Sequence, residues 1–364
     1  MTPFSSTRAL ASAICLLCAA SAHAQVVPFG TLDLTVERVG PVASHGRVSS
    51  NSSGFGFRAS EDLGGGMRAF FQLEGSMSVD TGAGGIASRD SFVGLAGPFG
   101  TLRAGHMTTP LRALGGRLNF VPGGTSIANN MGVMSTLNGM HAGLNSRLPN
   151  SVQYALPPYA GVAVTLLWAP GELRPNGDDD GSYGAGLNYE TGPWQLGLAH
   201  ENRGAQRKQA LGNSNDWESR AVLRYTAGEL TFSLGWDKLA SDGLYNGARG
   251  SVARDAWTGG FMWRRARHDV SLNVSQANAL DCGGNARSGQ CAPAAVDTTG
   301  ARQLALLYHY TFSKRTMLIA FYSTICNEAN ARYDYDANPL VPALAARAPG
   351  SHLRGMALGI RHSY

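Results

Sequence analysis

The stretch Arg354-Gly355-Met356-Ala357-Leu358-Gly359-Ile360-Arg361-His362-Ser363-Tyr364 cannot be a helix. Large apolar or aromatic side chains fall at 356, 358, 360 and 364, and small or polar ones at 357, 359, 361 and 363. That period of two gives a strand one apolar and one polar face. Terminal segments fray unless something pairs with them. A barrel closing strand to strand in lipid needs its last strand paired, and aromatics suit the membrane boundary. Leu358, Ile360 and Tyr364 are therefore read as the carriers of an assembly signal.

The other end of the chain reads as a secretory signal. Arg8 supplies a positive region, Ala9 to Ala20 is too short to span a bilayer, and Ala22-His23-Ala24 before Gln25 has a small-x-small cleavage pattern. Residues 1–24 are expected to be removed and 25–364 to form one barrel domain. Cys15 and Cys18 follow Ile14 and Leu17, where a lipoprotein signal would have a small residue, so lipidation is disfavoured. After Gln25 no run of about 18 apolar residues occurs, which leaves a soluble product or a β-barrel. Only 15% of the chain is charged and it holds 47 glycines, a composition that fits about sixteen strands of roughly ten residues plus loops.

The alternation recurs along the chain. Leu32, Leu34 and Val36 interleave with Asp33, Thr35 and Glu37; Leu230, Phe232, Leu234 and Trp236 interleave with Thr231, Ser233, Gly235 and Asp237. A soluble sandwich would show the same pattern. The connections tip the balance, because they alternate short and long. Tight ones lie at 61–66, 97–100, 157–161, 190–193, 227–229, 264–268 and 313–315. Long ones lie at about 39–53, 80–88, 107–146, 170–181, 201–215, 240–252, 277–299 and 327–350. Short turns on one side and long loops on the other make an all-β, antiparallel transmembrane barrel of sixteen strands. Trp168, Trp194, Trp217, Trp236, Trp257, Trp263, Tyr310 and Tyr322 suit the headgroup level.

Local sequence then becomes specific. Phe29-Gly30 with Asp33, Gly56-Phe57-Arg58 running into Glu61-Asp62-Leu63-Gly64-Gly65-Gly66, and Phe71-Gln72-Leu73-Glu74 resemble the Gram-negative general porins. Phe92-Val93-Gly94-Leu95, Gly100-Thr101-Leu102, Asn150 to Tyr154, Ser313 to Thr316 and Gly359 to His362 extend the resemblance over the chain from Gln25 onward. The resemblance implies a homotrimer of sixteen-stranded barrels passing small hydrophilic solutes and ions, with the third long loop, residues 107–146, folded inward as a constriction. It also implies an outer membrane as the site of residence, with lipid, lipopolysaccharide and the barrel-assembly machinery as partners. Such barrels usually end on Phe, and Tyr364 keeps the ring while adding a hydroxyl. By the same resemblance Arg58 and Arg89 match pore-facing basic positions on the second and fourth strands, and Arg147 the basic residue at the loop's exit. Gly54 and His106 stand where the family commonly has arginines, which thins the basic ladder.

Between Asp90 and Glu172 there is not one carboxylate, whereas Arg103, Arg112, Arg117 and Arg147 lie there with His106 and His141. Rings of Arg or Lys draw anions into a pore, so a weak anion preference is expected. Arg361, among small neighbours, is assigned to the same positively biased interior. Asp178, Asp179 and Asp180 form an acidic tip read as a solvated loop. Met131, Met134, Leu137, Met140 and Leu144 repeat at three or four within 129–144, leaving open a short helix or, because of Gly132, Gly139 and Gly143, an irregular loop.

Three cysteines follow residue 24. Cys282 and Cys291 share one Gly-rich loop in an exported chain, where a disulfide is expected, and Cys326 is left over. No histidines sit beside them at zinc-ligand spacing, so neither metal nor other cofactor is expected. The histidines are scattered and none stands in a recognisable nucleophile setting, which argues against a barrel enzyme. A plugged structural or adhesive barrel remains the second alternative. The net charge of +5 is dispersed along the chain, which disfavours nucleic-acid binding.

Overall fold

The computed structural model describes residues 25–41, 45–171, 181–204, 215–242, 244–245, 248–249, 251–283 and 291–364. Residues 1–24, expected to be removed, and the acidic tip at Asp178 to Asp180 lie outside the described residues. Sixteen staves follow in chain order. They are β1 Val27–Gly40, β2 in two pieces His45–Ser50 and Gly54–Gly64, β3 Met67–Ser78, and β4 in two pieces Ala83–Gly85 and Ser91–Gly97. Next come β5 Gly100–Thr108, β6 Arg147–Ala155, β7 Val162–Ala169, β8 Ser182–Thr191, β9 Trp194–Arg203 and β10 Asp216–Ala227. The set ends with β11 Leu230–Ser241, β12 Val252–Arg265, β13 His268–Ala277, β14 Ala301–Thr311, β15 Thr316–Asn327 and β16 Leu353–Ser363.

Each stave pairs antiparallel with its neighbours in sequence, and β16 pairs antiparallel with β1 from Thr31↔Ser363 to Gly40↔Arg354. The described staves therefore close into a cylinder, with the first and last strands paired to each other. At the seam the Tyr364 N–H donates to the Gly30 carbonyl at 3.1 Å. The Tyr364 ring occupies the space a side chain on Gly30 would need.

The distribution of side chains inverts that of a soluble protein. Val36 is 66% exposed, Leu234 63% and Leu358 56%, whereas Glu218, Asp237 and Arg220 are at most 1% exposed. One face of the sheet carries the apolar residues and the opposite face the charged and amide ones, as a barrel with lipid outside requires. Among the described residues no helix is long and apolar enough to cross a membrane.

Several connections differ from the expected ones. The first long connection is mostly strand, because His45–Ser50 continues the ladder along β1. The second contains the three-residue strand Ala83–Gly85. Within 107–146 there are two short helices, α1 Pro110–Gly115 and the single turn α2 Met131–Met134. The 129–144 stretch is otherwise irregular, with a bridge between Leu137 and Met140. Cys282 and Cys291 are joined by a disulfide, and Cys326 is free and exposed.

Candidate functional site

The site is built where residues 107–146 leave β5. Gly105, at φ +150°, opens a bulge in the β5–β6 ladder, and a side chain there would strike the Ser91 carbonyl. The Thr109 hydroxyl then caps α1 by accepting from the Arg112 N–H at 3.2 Å, and Pro110 fills the first helical position. Pro110, Leu114 and Leu118 repeat every four residues and press onto Gly186, Gly197 and Gly235. Any side chain at those three glycines would overlap the loop, so the absence of Cβ there sets how closely it approaches the sheet.

Polar arms from the sheet hold what the apolar contacts position. Arg220 donates through Nη1 to the Leu111 carbonyl at 2.9 Å and to Asn145 Oδ1 at 2.8 Å. Its Nε and Nη2 reach Asp237 at 2.8 Å and Glu218 at 2.6 Å. Arg254 donates to the carbonyls of Val133 and Met134, at 3.1 and 2.6 Å. Arg224 donates to those of Arg117 and Asn119, at 2.9 and 2.5 Å. The Asn130 amide meets Thr258, Asn273 and Ser275, and the Gln303 amide donates to the Ile127 and Asn129 carbonyls. Ser52 closes the circuit on the opposite side, donating to the Gly123 carbonyl at 2.5 Å. These arms satisfy carbonyls that an irregular segment would otherwise leave unpaired.

A polar cavity of about 320 Å³ remains between this segment and the sheet, and Arg89, Arg112 and Arg147 line it with Thr108, Asn145 and Asp336. Arg89 is ion-paired with Glu74, and Arg147 Nε lies 3.0 Å from Asp90 Oδ1. Glu74 and Asp90 do not line the cavity; their arginine partners do. Arg112 donates to the Asn145 carbonyl at 2.6 Å and has no carboxylate within salt-bridge distance among the described residues. Burial, and then the like charges of Arg147 and Arg89, hold the Arg112 guanidinium below its ordinary pKa. The arrangement turns three guanidiniums towards one polar cavity whose lining holds a single carboxylate, Asp336.

The seven basic residues singled out from sequence thus divide. Arg89, Arg112 and Arg147 come together, and the others do not line this cavity. Arg117 pairs with Glu190 at 2.8 Å, and the His106 ring lies 3.4 Å from the Ala87 carbonyl. Arg103 donates to Gln153 at 3.0 Å, and Arg58 lies over the Phe29 ring. Arg361, assigned from sequence to the positively biased interior, is 2.7 Å from Asp33, which offsets its charge. The carboxylate-free span is likewise offset, by Glu74, Asp90 and the distant Asp336. Sequence reasoning missed Arg220, Arg224 and Arg254. A local signal existed for the first: Glu218 and Arg220 are two apart on the polar face, as are Glu201 and Arg203, which pair at 2.7 Å. Among the described residues no cluster of three His, Cys, Asp or Glu side chains could hold a metal ion.

Known proteins carry the same architecture. A solved structure, an anion-selective porin from Comamonas acidovorans, matches 94% of this chain and 100% of its own at a TM-score of 0.77 with 23% identity. The major outer membrane protein P.IB of Neisseria gonorrhoeae is 33% identical over 167 residues, covering 46% of each protein. P.IA of Neisseria meningitidis serogroup C is 28% identical over 319 residues, 75% of this chain and 76% of that one. The chain spans about half the length of the first of these curated relatives. A model of the Gram-negative porin family matches residues 9–330. With the closed barrel and its apolar outer belt, this match establishes that the chain belongs to the Gram-negative porin family, whose barrels sit in the outer membrane.

Proposed function

We propose that the protein is a water-filled channel for passive diffusion of small hydrophilic solutes and ions, with a weak preference for anions. Residues 107–146 fold into the lumen and narrow it beside Arg89, Arg112 and Arg147. The observation that carries this reading is the opening lined by three guanidiniums and one carboxylate, Asp336, while Glu74 and Asp90 keep out of its lining. Because each of those two carboxylates pairs with a lining arginine, the net field is small and the preference is weak. The anion selectivity stated for the Comamonas acidovorans porin is consistent with this sign.

The protein acts as a homotrimer in a lipopolysaccharide-bearing membrane, inserted by the barrel-assembly machinery after loss of residues 1–24. The ring of Tyr364 at the seam, with Leu358 and Ile360 on the apolar face, serves as the assembly signal. The Cys282–Cys291 bridge staples its loop without touching transport, and no catalytic role is assigned.

A second reading, a plugged barrel, draws on the packing of the loop itself. Leu111, Leu118, Ile127, Val133, Met134 and Leu137 are fully buried, more than a loosely hung constriction needs. Planar-bilayer recording under a KCl gradient separates the two. The channel reading expects steady conductance and a reversal potential displaced modestly in the anion-preferring direction. Absence of conductance selects the plug, and a cation-preferring potential overturns the charge argument.

A further inference from the structure

A second group of arginines sits closer to the short turns. Strand register places Arg58, Gln72 and Phe92 in one cross-strand row, and Phe70, Gly94 and Arg103 in the next, with Arg68 one row further. All are on the same face as Glu74. Here the arginines meet rings instead of carboxylates. The Arg58 guanidinium carbon lies 5.5 Å from the centre of the Phe29 ring, Arg68 5.1 Å from Phe70, and Arg103 5.3 Å from Phe92. Among the described residues none of the three has a carboxylate within 4.0 Å, in contrast to Arg89 and Arg147. Among the described residues the Nε of Arg103 has no hydrogen-bond partner. A cavity of about 350 Å³ is lined by Val27, Arg58, Arg68, Phe70, Gln72 and Phe92, within the size range of small-molecule pockets, about 300–1,000 Å³.

We propose that this cluster is a second anion station, separate from the Arg89–Arg112–Arg147 opening, and that it holds planar aromatic carboxylates. The reading rests on the channel function above, because the station would lie on the solute's route. A guanidinium lying over a ring is attracted by the ring's quadrupole and keeps its N–H donors in its own plane for the two oxygens of a carboxylate. Phe70 and Phe92, which meet edge to face at 6.1 Å between centres, offer ring surface to the ligand's own ring. Chloride or acetate can use the charge alone, and a saturated ring cannot stack flat. The station therefore discriminates by ring planarity, where the upper opening discriminates by charge.

Isothermal titration of the detergent-solubilised protein tests this without depending on conduction. Sodium benzoate is expected to bind at least threefold more tightly than sodium cyclohexanecarboxylate, and Arg58→Gln with Arg68→Gln to weaken benzoate at least fivefold. Phe92→Leu, which removes no charge, should narrow the gap between the two anions; it serves as well if the double variant fails to fold. Equal binding of the two anions, or benzoate affinity indifferent to both variants, overturns the proposal. A protein that conducts KCl yet shows that indifference retains its channel reading and loses only the station. One that binds benzoate selectively without conducting loses the channel reading and keeps the station.

Discussion

On the wall formed by β9 to β12, Arg203, Arg220 and Arg254 are 5%, 1% and 1% exposed and are used up in holding residues 107–146. On the wall formed by β2 to β6, Arg58 and Arg68 are exposed, while Arg89 and Arg147, ion-paired with Glu74 and Asp90, keep 24% and 16% of their side chains accessible and line the polar cavity. The same residue type is mortar on one side and field on the other. What separates the roles is the neighbourhood. Buried Arg220 has two carboxylates and two carbonyl-type acceptors, whereas Arg58 has a phenyl ring. Counting arginines along the chain therefore says little about the potential inside it.

The largest break in this contrast is Arg220→Ala. It would strand Glu218 and Asp237 without their shared cation, a loss of roughly 3–5 kcal/mol for a buried pair. Arg58→Ala, by comparison, removes an exposed ring contact worth about 0.5–1 kcal/mol. The heating temperature at which the folded band disappears on electrophoresis should drop clearly for the first and barely for the second. Comparable drops would show that the two walls are not distinct.

Of intermediate size is Gly235→Val, which forces a side chain into the place of Leu118. Overpacking of this kind costs about 1–3 kcal/mol, and the cheapest relief is for the loop to lift away from the sheet. Single-channel conductance should rise and become noisier; an unchanged trace would mean that the loop is not seated by the glycine track. Smallest is Arg112→Ala, which removes the lining cation that lacks a carboxylate partner. The reversal potential should move by a few millivolts towards cations, an order of magnitude set by one charge in a screened opening, with thermal stability nearly unchanged. No movement would transfer the selectivity to other groups.

The fold was legible because it is local. Alternation at Leu230 to Asp237 or Met356 to Ser363 needs only neighbouring residues, and so do turns such as Glu190 to Pro193. The opening was legible in part: Arg89, Arg112 and Arg147 stand out by resemblance and by composition. What stayed hidden depends on partners far away in the chain. Asp336 reaches the opening from the last long loop, Asp33 neutralises Arg361 across the seam, and Gly186, Gly197 and Gly235 form a track only once four strands are in register. The strand at His45–Ser50 was hidden for a related reason, since its Ser- and Gly-rich sequence reads as loop until β1 pairs with it.

The seam also governs how such a molecule comes into being. The hydroxyls of Thr31 and Ser363 meet at 2.9 Å across 332 positions of chain. Joining ends so far apart costs roughly 5 kcal/mol in loop entropy beyond a constant, which nothing short of a nearly complete sheet can offset. Before that moment β1 and β16 present unpaired backbone to any passing chain. Closing the seam thus removes the two edges through which the sheet could pair with another chain, and the ring over Gly30 marks where the cylinder is complete.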